Sequence, residues 1–176
     1  MKRFAIIGIC IFGILSVLST AYIFYNSMQS GHLSNQRSET IAEQMAEMVV
    51  PEDQQNEEKI DEVQKQWNKT IRKVAHIVEF AALGFSLGGL TISLFFLIKR
   101  WFFGSALFLS LLVGVTDEYI QAFYKRTSSI KDIWRDLIGA AVGLILITLL
   151  FKIVFLIRKK KQKNQITFVE RTSSSP

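Results

Sequence analysis

Residues 72–80 read Arg72-Lys73-Val74-Ala75-His76-Ile77-Val78-Glu79-Phe80 and open a long apolar run, yet they carry four ionisable groups. On a helix, Arg72, His76, Glu79 and Leu83 stand at i, i+4, i+7 and i+11 and so share one face. An ionisable side chain well inside a bilayer costs roughly 2.5–3.5 kcal/mol on insertion scales, and less near an interface. A helix with such a stripe is expected to turn it toward protein or a water-filled pocket. Arg72 and Lys73 also fit the plainer role of interfacial anchors. His76 and Glu79 lie a turn or two deeper, where that role fits less well.

The apolar residues around this stretch are gathered into four long blocks in a chain of 176 residues that is 49% hydrophobic, with a mean hydropathy of +0.27. Fourteen Phe, four Tyr and three Trp suit a membrane protein with aromatic edges. The one cysteine, Cys10, excludes an intrachain disulfide and a cysteine metal site. With only His32 and His76 as histidines, a zinc site would need several carboxylate ligands, so no metal and no cofactor is expected.

Toward the N-terminus, Met1-Lys2-Arg3 precedes Phe4 to Tyr25, 22 residues without a charge, enough to cross a hydrocarbon core. Ser19-Thr20-Ala21 would suit a signal-peptide cleavage site, but the run exceeds a usual signal core, and an uncleaved helix over 1–25 is the expectation. Residues 26–70 are polar, with nine acidic and four basic residues. Within them Ile41, Met45 and Met48 mark a short amphipathic helix that Pro51 would stop. Ile60, Val63, Trp67, Ile71 and Val74 continue helical spacing into the second span, although both segments also read as a solvated connector.

The second span runs from Val74 to Ile98, with a small-xxx-small pair, Gly84 and Gly88, on a face rotated away from His76. After Lys99-Arg100-Trp101, the third span covers Phe102 to Ile120 and ends in Asp117, Glu118 and Gln121. The fourth runs from Ile133 to Ile157; Asp132, Asp136, Gly139 and Gly143 share a face of its helix. The cluster Arg158 to Lys163 opens a basic tail, 158–176, whose polar end is expected to be disordered. The fold class is therefore all-α, a four-helix transmembrane bundle with an extracytoplasmic helical insert between the first two spans. Its core is three-helical, over 71–157.

Lys2-Arg3, Lys99-Arg100 and Arg158–Lys163 all fall on one side, which the positive-inside rule assigns to the cytoplasm with both termini. The connector 122–131 breaks that bias with Lys125, Arg126 and Lys131 on the outer side. Arg72, Lys73, His76 and Glu79 then share an outer depth with Asp117, Glu118 and Gln121 and with Asp132, Arg135 and Asp136, while the cytoplasmic halves of the three helices carry no acid. Such a cluster is either an ion network that fixes helix register or the lining of an outward-opening pocket.

In order, Lys73-x-x-His76-x-x-x-Phe80-x-x-Leu83-Gly84, then Asp117-Glu118-x-x-Gln121-x-Phe123-x-x-Arg126, then Asp132-x-x-x-Asp136-x-x-Gly139-x-x-x-Gly143 resembles the VanZ-like family of small bacterial membrane proteins. Phe24-x-x-Ser27-x-Gln29 resembles that family's pattern at the exit of the first span. One departure stands out: the family usually has Asn at the place of Asp136, so this chain has an added negative charge. The insert from Gly31 to Thr70 is also long for the family. The resemblance implies a cell-envelope role, with teicoplanin resistance as the association of the founding member, and carries no established reaction.

Three functions fit. In the first, the pocket binds a lipid-linked cell-wall intermediate or a glycopeptide-type antibiotic. Arg72, Lys73, Arg126 and Arg135 contact its phosphate or carboxylate oxygens, and Glu118, Gln121, Asp132 and Asp136 complete the lining. In the second, an enzyme uses His76 as general acid or base, oriented by Glu79 or by an acid of the third helix such as Asp117. The third is a small proton-coupled transporter, for which four spans are few. Membrane lipids are expected partners, nucleic acid is not, and the oligomeric state is left open.

Overall fold

A computed structural model describes residues 2–29, 39–45, 48–49, 57–100, 103–124 and 129–173. Among these residues every regular element is a helix. Four long ones dominate: α1 (Lys2–Met28), α2 (Glu57–Ile98), α3 (Phe103–Phe123) and α4 (Ile130–Ser173). All four are long and apolar enough to cross a membrane, over Lys2–Met28, Val63–Ile98, Gly104–Phe123 and Ile130–Gln162. The chain is thus an all-α transmembrane bundle, as its four apolar blocks suggest.

Its packing is that of a protein in lipid. Large apolar side chains such as Ile7, Ile14, Leu18, Leu112, Ile145 and Leu149 lie on the outside, while Ser16, Ser27, Ser86, Ser93 and Ser110 are buried. Lipid tails are as apolar as leucine, so helices here associate through close backbone approach and polar contacts. The buried hydroxyls are accommodated locally: Ser16, Ser93 and Ser110 donate to the carbonyls of Phe12, Gly89 and Ala106, four residues back. A small apolar core of Ile23, Phe80, Leu83, Leu87, Ala106 and Leu144 fills the middle.

Helices α2 and α4 run parallel and touch backbone to backbone. A Cβ placed on Gly84 would overlap the carbonyl of Ala140, and one on Gly143 would overlap the carbonyl of Ala81. On Gly139 a Cβ would stand 2.5 Å from the carbonyl oxygen of Ile77. The small residues on both helices therefore form a single seam, and the glycines noted on α2 and α4 are its two sides. Against this pair, α1 packs antiparallel to α2: Gly8 lies against Ser93, and Gly89 against the Phe12 ring.

Both long helices outrun the bilayer. At about 1.5 Å per residue, the 42 residues of α2 extend about 63 Å, twice a hydrocarbon core of roughly 30 Å. The amphipathic stretch before residue 74 thus joins the second span without a break. Helix α2 stops at Ile98, where Lys99 takes a left-handed backbone (φ 57°) and donates its amide to Phe95. The polar end of the tail, expected to be disordered, is instead helical as far as Ser173. An established helix extends without a new nucleation cost, and Arg158, Lys159, Lys160, Lys161 and Gln162 are good helix formers. In the insert, 39–45 is helical; Ala42 is buried while Ile41, Met45 and Met48 are exposed. Pro51, the expected stop, lies outside the described residues.

The seam yields a paired prediction. Gly143→Ala forces α2 and α4 apart and should cost roughly 1–3 kcal/mol as an overpacking change. Gly13→Ala, with nothing within 4 Å of its added Cβ, should be neutral or stabilising by about 0.5–1 kcal/mol. Thermal unfolding in detergent checks the contrast; equal melting temperatures would contradict the close seam.

Candidate functional site

The end of the bundle where α1 and α3 finish and α4 begins collects the polar residues, and Asp117 is its hub. Its side chain is fully buried. Ser27 donates its hydroxyl to Oδ1, and Gln121, one turn on along α3, donates Nε2 to Oδ2 at 2.7 Å. Across from α2, His76 Nδ1 stands 3.9 Å from Asp117 Oδ2. A buried carboxylate has lost its water, and one donor from α1 and one from its own helix replace it.

On the other side of the same imidazole sits Asp136. His76 Nδ1 is 3.9 Å from its Oδ1. The Asp136 carboxylate is buried and neither of its oxygens accepts a hydrogen bond. Below, Phe80 is fully buried, and a Cβ at Gly114 would meet its ring at 3.5 Å and the Asp136 carboxylate at 3.7 Å. The side chain of His76 is 27% exposed against 0% and 1% for the two aspartates. The imidazole is therefore the group of the three that reaches outward.

Two further carboxylates flank this centre. Glu79 accepts a hydrogen bond from Asn26 Nδ2 at 2.7 Å, tying α2 to the end of α1. Glu118 accepts the backbone N–H of Ser129 at 2.8 Å, holding the start of α4 to α3. Of the residues expected at the site, the structure brings together His76, Glu79, Asp117, Glu118, Gln121 and Asp136. Asp132 and Arg135 are instead paired with each other along α4, each about one-third exposed. Arg72 is half-buried and Lys73 exposed, one turn above His76. Arg126 lies outside the described residues. Asn26 and Ser27 were not among the expected lining residues. Their signal was the polar pair at the exit of the first span, at the depth of the other polar groups.

Beside the cluster an apolar groove of about 530 Å³ runs along the flank of α1, α2 and α3, between Ser16, Thr20, Phe24, Leu87, Val113 and Thr116 among others. Thr116 directly precedes Asp117, and Phe24 is one turn from Ser27. None of the cluster residues lines the groove; Thr116 and Phe24 are the lining residues nearest to it along the chain.

Read from sequence, Asp117 and Asp132 are alike, each at the end of an apolar run; the structure separates them. Asp117→Ala strands the donors of Ser27 and Gln121, at roughly 1–3 kcal/mol for each buried donor left unmet. Asp132→Ala breaks a partly exposed i,i+3 pair worth under about 1 kcal/mol. Unfolding midpoints in detergent should fall steeply for the first and little for the second; equal losses would contradict the hub.

The family model described as VanZ/LLP1 matches residues 12–152, from the middle of α1 into α4, and takes in every residue of the cluster. No curated protein and no solved structure matches the chain. With most of its length matched, the chain belongs to the VanZ/LLP1 family.

Proposed function

We propose that this membrane protein is a binding protein of the bacterial cell envelope that holds a lipid-linked ligand at the polar end of its bundle, on the outer side of the membrane. The observation that carries this reading is the buried polar cluster of Asp117, Glu118, Gln121 and Asp136 at one end of an otherwise apolar bundle, with an apolar groove on the flank of α1, α2 and α3. An acyl or prenyl chain suits the groove, whose rim residues Val17, Leu109 and Leu112 are exposed on the lipid-facing flank. The head group then meets His76, Gln121 and Glu118, with Arg72 and Lys73 above as partners for phosphate. A glycopeptide-type antibiotic that engages the same lipid-linked precursor would meet the same site. Both termini are assigned to the cytoplasm because Lys2-Arg3, Lys99-Arg100 and Arg158–Lys163 share one side.

The orientation is checked with a periplasm-active reporter. Fused after Gln55 it should be active, and after Gln162 silent; the reverse pattern would place the polar end inside.

The role of the site is checked by conservative replacement. His76→Gln keeps length and hydrogen-bonding capacity but cannot carry a proton or a positive charge. It should reach the membrane at normal level and lose the envelope phenotype, such as tolerance to a glycopeptide. Glu79→Gln should lose it less completely, because its amide oxygen still accepts from Asn26. Purified wild-type protein should carry an envelope lipid that mass spectrometry finds unaltered after incubation. An abundant, fully functional His76→Gln protein would reduce the cluster to a structural network, and an altered lipid would make the protein an enzyme.

A further inference from the structure

We propose that His76, Asp117 and Asp136 together bind one divalent cation of the first transition row, zinc or manganese. This goes beyond the lipid-binding reading and does not depend on it. The expectation of no metal rests on the two histidines and single cysteine of the chain, which leave most of a site to carboxylates. The three donors come instead from three different helices, α2, α3 and α4, and no spacing along the chain joins them.

One ligand atom from each residue, an imidazole nitrogen and two carboxylate oxygens, lies within 4.8 Å of the others. His76 Nδ1 is 3.9 Å from both Asp117 Oδ2 and Asp136 Oδ1. Donors about 2.1 Å from a tetrahedral zinc stand about 3.4 Å apart, so each His76–aspartate distance must close by about half an ångström, and the two carboxylate oxygens, which lie within 4.8 Å of each other, by no more than about 1.4 Å. The partly exposed His76 side chain has room to close its two distances, and a side-chain rotation of Asp136, which no hydrogen bond holds, closes the third.

The second observation is independent of that spacing. Asp136 is buried, and both of its oxygens lack a hydrogen-bond partner. A buried carboxylate in a structural network is normally satisfied by donors, as Asp117 is by Ser27 and Gln121. Left bare, it is costly. A cation between Asp136, Asp117 and His76 supplies the missing partner. Gln121 and Ser27 then act as the outer shell that aims the Asp117 carboxylate, the arrangement that tunes metal sites.

Donor chemistry selects the ion. Magnesium and calcium favour all-oxygen shells with many ligands, and magnesium keeps its waters. An imidazole with two carboxylates suits zinc or manganese. Three protein donors leave at least one position open to water or a ligand oxygen.

The test uses the full-length protein in detergent, purified without chelator through a tag free of histidine. Elemental analysis should find one zinc or manganese ion per chain after equilibration and gel filtration. Asp136→Asn keeps the volume of the side chain and should fold, while its affinity for the added ion falls at least about tenfold, the smallest loss expected when even an outer-shell partner is removed. Cobalt(II) in place of the native ion should give visible absorption bands that His76→Gln alters. Folded wild-type protein that binds neither ion would overturn the proposal. So would binding unchanged in Asp136→Asn, or equal binding of magnesium or calcium. Lipid still carried by a metal-free protein would leave the lipid reading standing, so the two fail separately.

Discussion

The close approach of α2 and α4 is the constraint on which the polar end depends. Backbone meets backbone where Gly84 faces Ala140 and where Gly143 faces Ala81. At such contacts there is no side chain to rearrange, so the two helices have little freedom to slide. Gly139 stands against Ile77, the residue after His76, and Asp136 lies one turn before Gly139. The seam therefore sets His76 beside Asp136. Helix α3 is then held from both sides: Asp117 reaches Ser27 and faces His76, and Glu118 takes the amide of Ser129.

Lipid as solvent makes this arrangement consequential. In water a carboxylate at the end of a helix is cheaply hydrated. In a bundle whose exterior is Ile, Leu and Phe, each buried polar group must find its partner within the protein. Serines deeper in the bundle do so through their own helix carbonyls. Asp117 does so through two other side chains. Asp136, alongside the same histidine, accepts no hydrogen bond. The proposed ligand site rests on that contrast between two aspartates under 5 Å from one imidazole.

Much of this was legible in the chain. The four apolar blocks, the glycine pairs on α2 and α4, and the shared depth of His76, Asp117 and Asp136 follow from helical periodicity and segment length. Three things were not. Local charge alternation along α4 already pairs Arg135 with Asp132, yet spacing alone also allowed both to face the cluster. Ser27 and Asn26 are short polar residues at a span exit, and nothing local distinguishes a cap from a donor to a carboxylate 53 or 90 positions later. The helical end of the tail is hidden from composition, which alone suggests disorder, whereas a helix anchored in the membrane carries its register outward.

The central claim is that the polar end is a ligand site built from several helices around His76, Asp117 and Asp136. An experimental structure of the protein purified with its native lipids tests it most directly. The account predicts His76 and Asp136 converging on non-protein density, with an elongated density in the groove beside Phe24 and Val113. A structure in which Asp136 is hydrogen-bonded to protein donors, His76 is turned away from both aspartates and the groove is filled by side chains would contradict it.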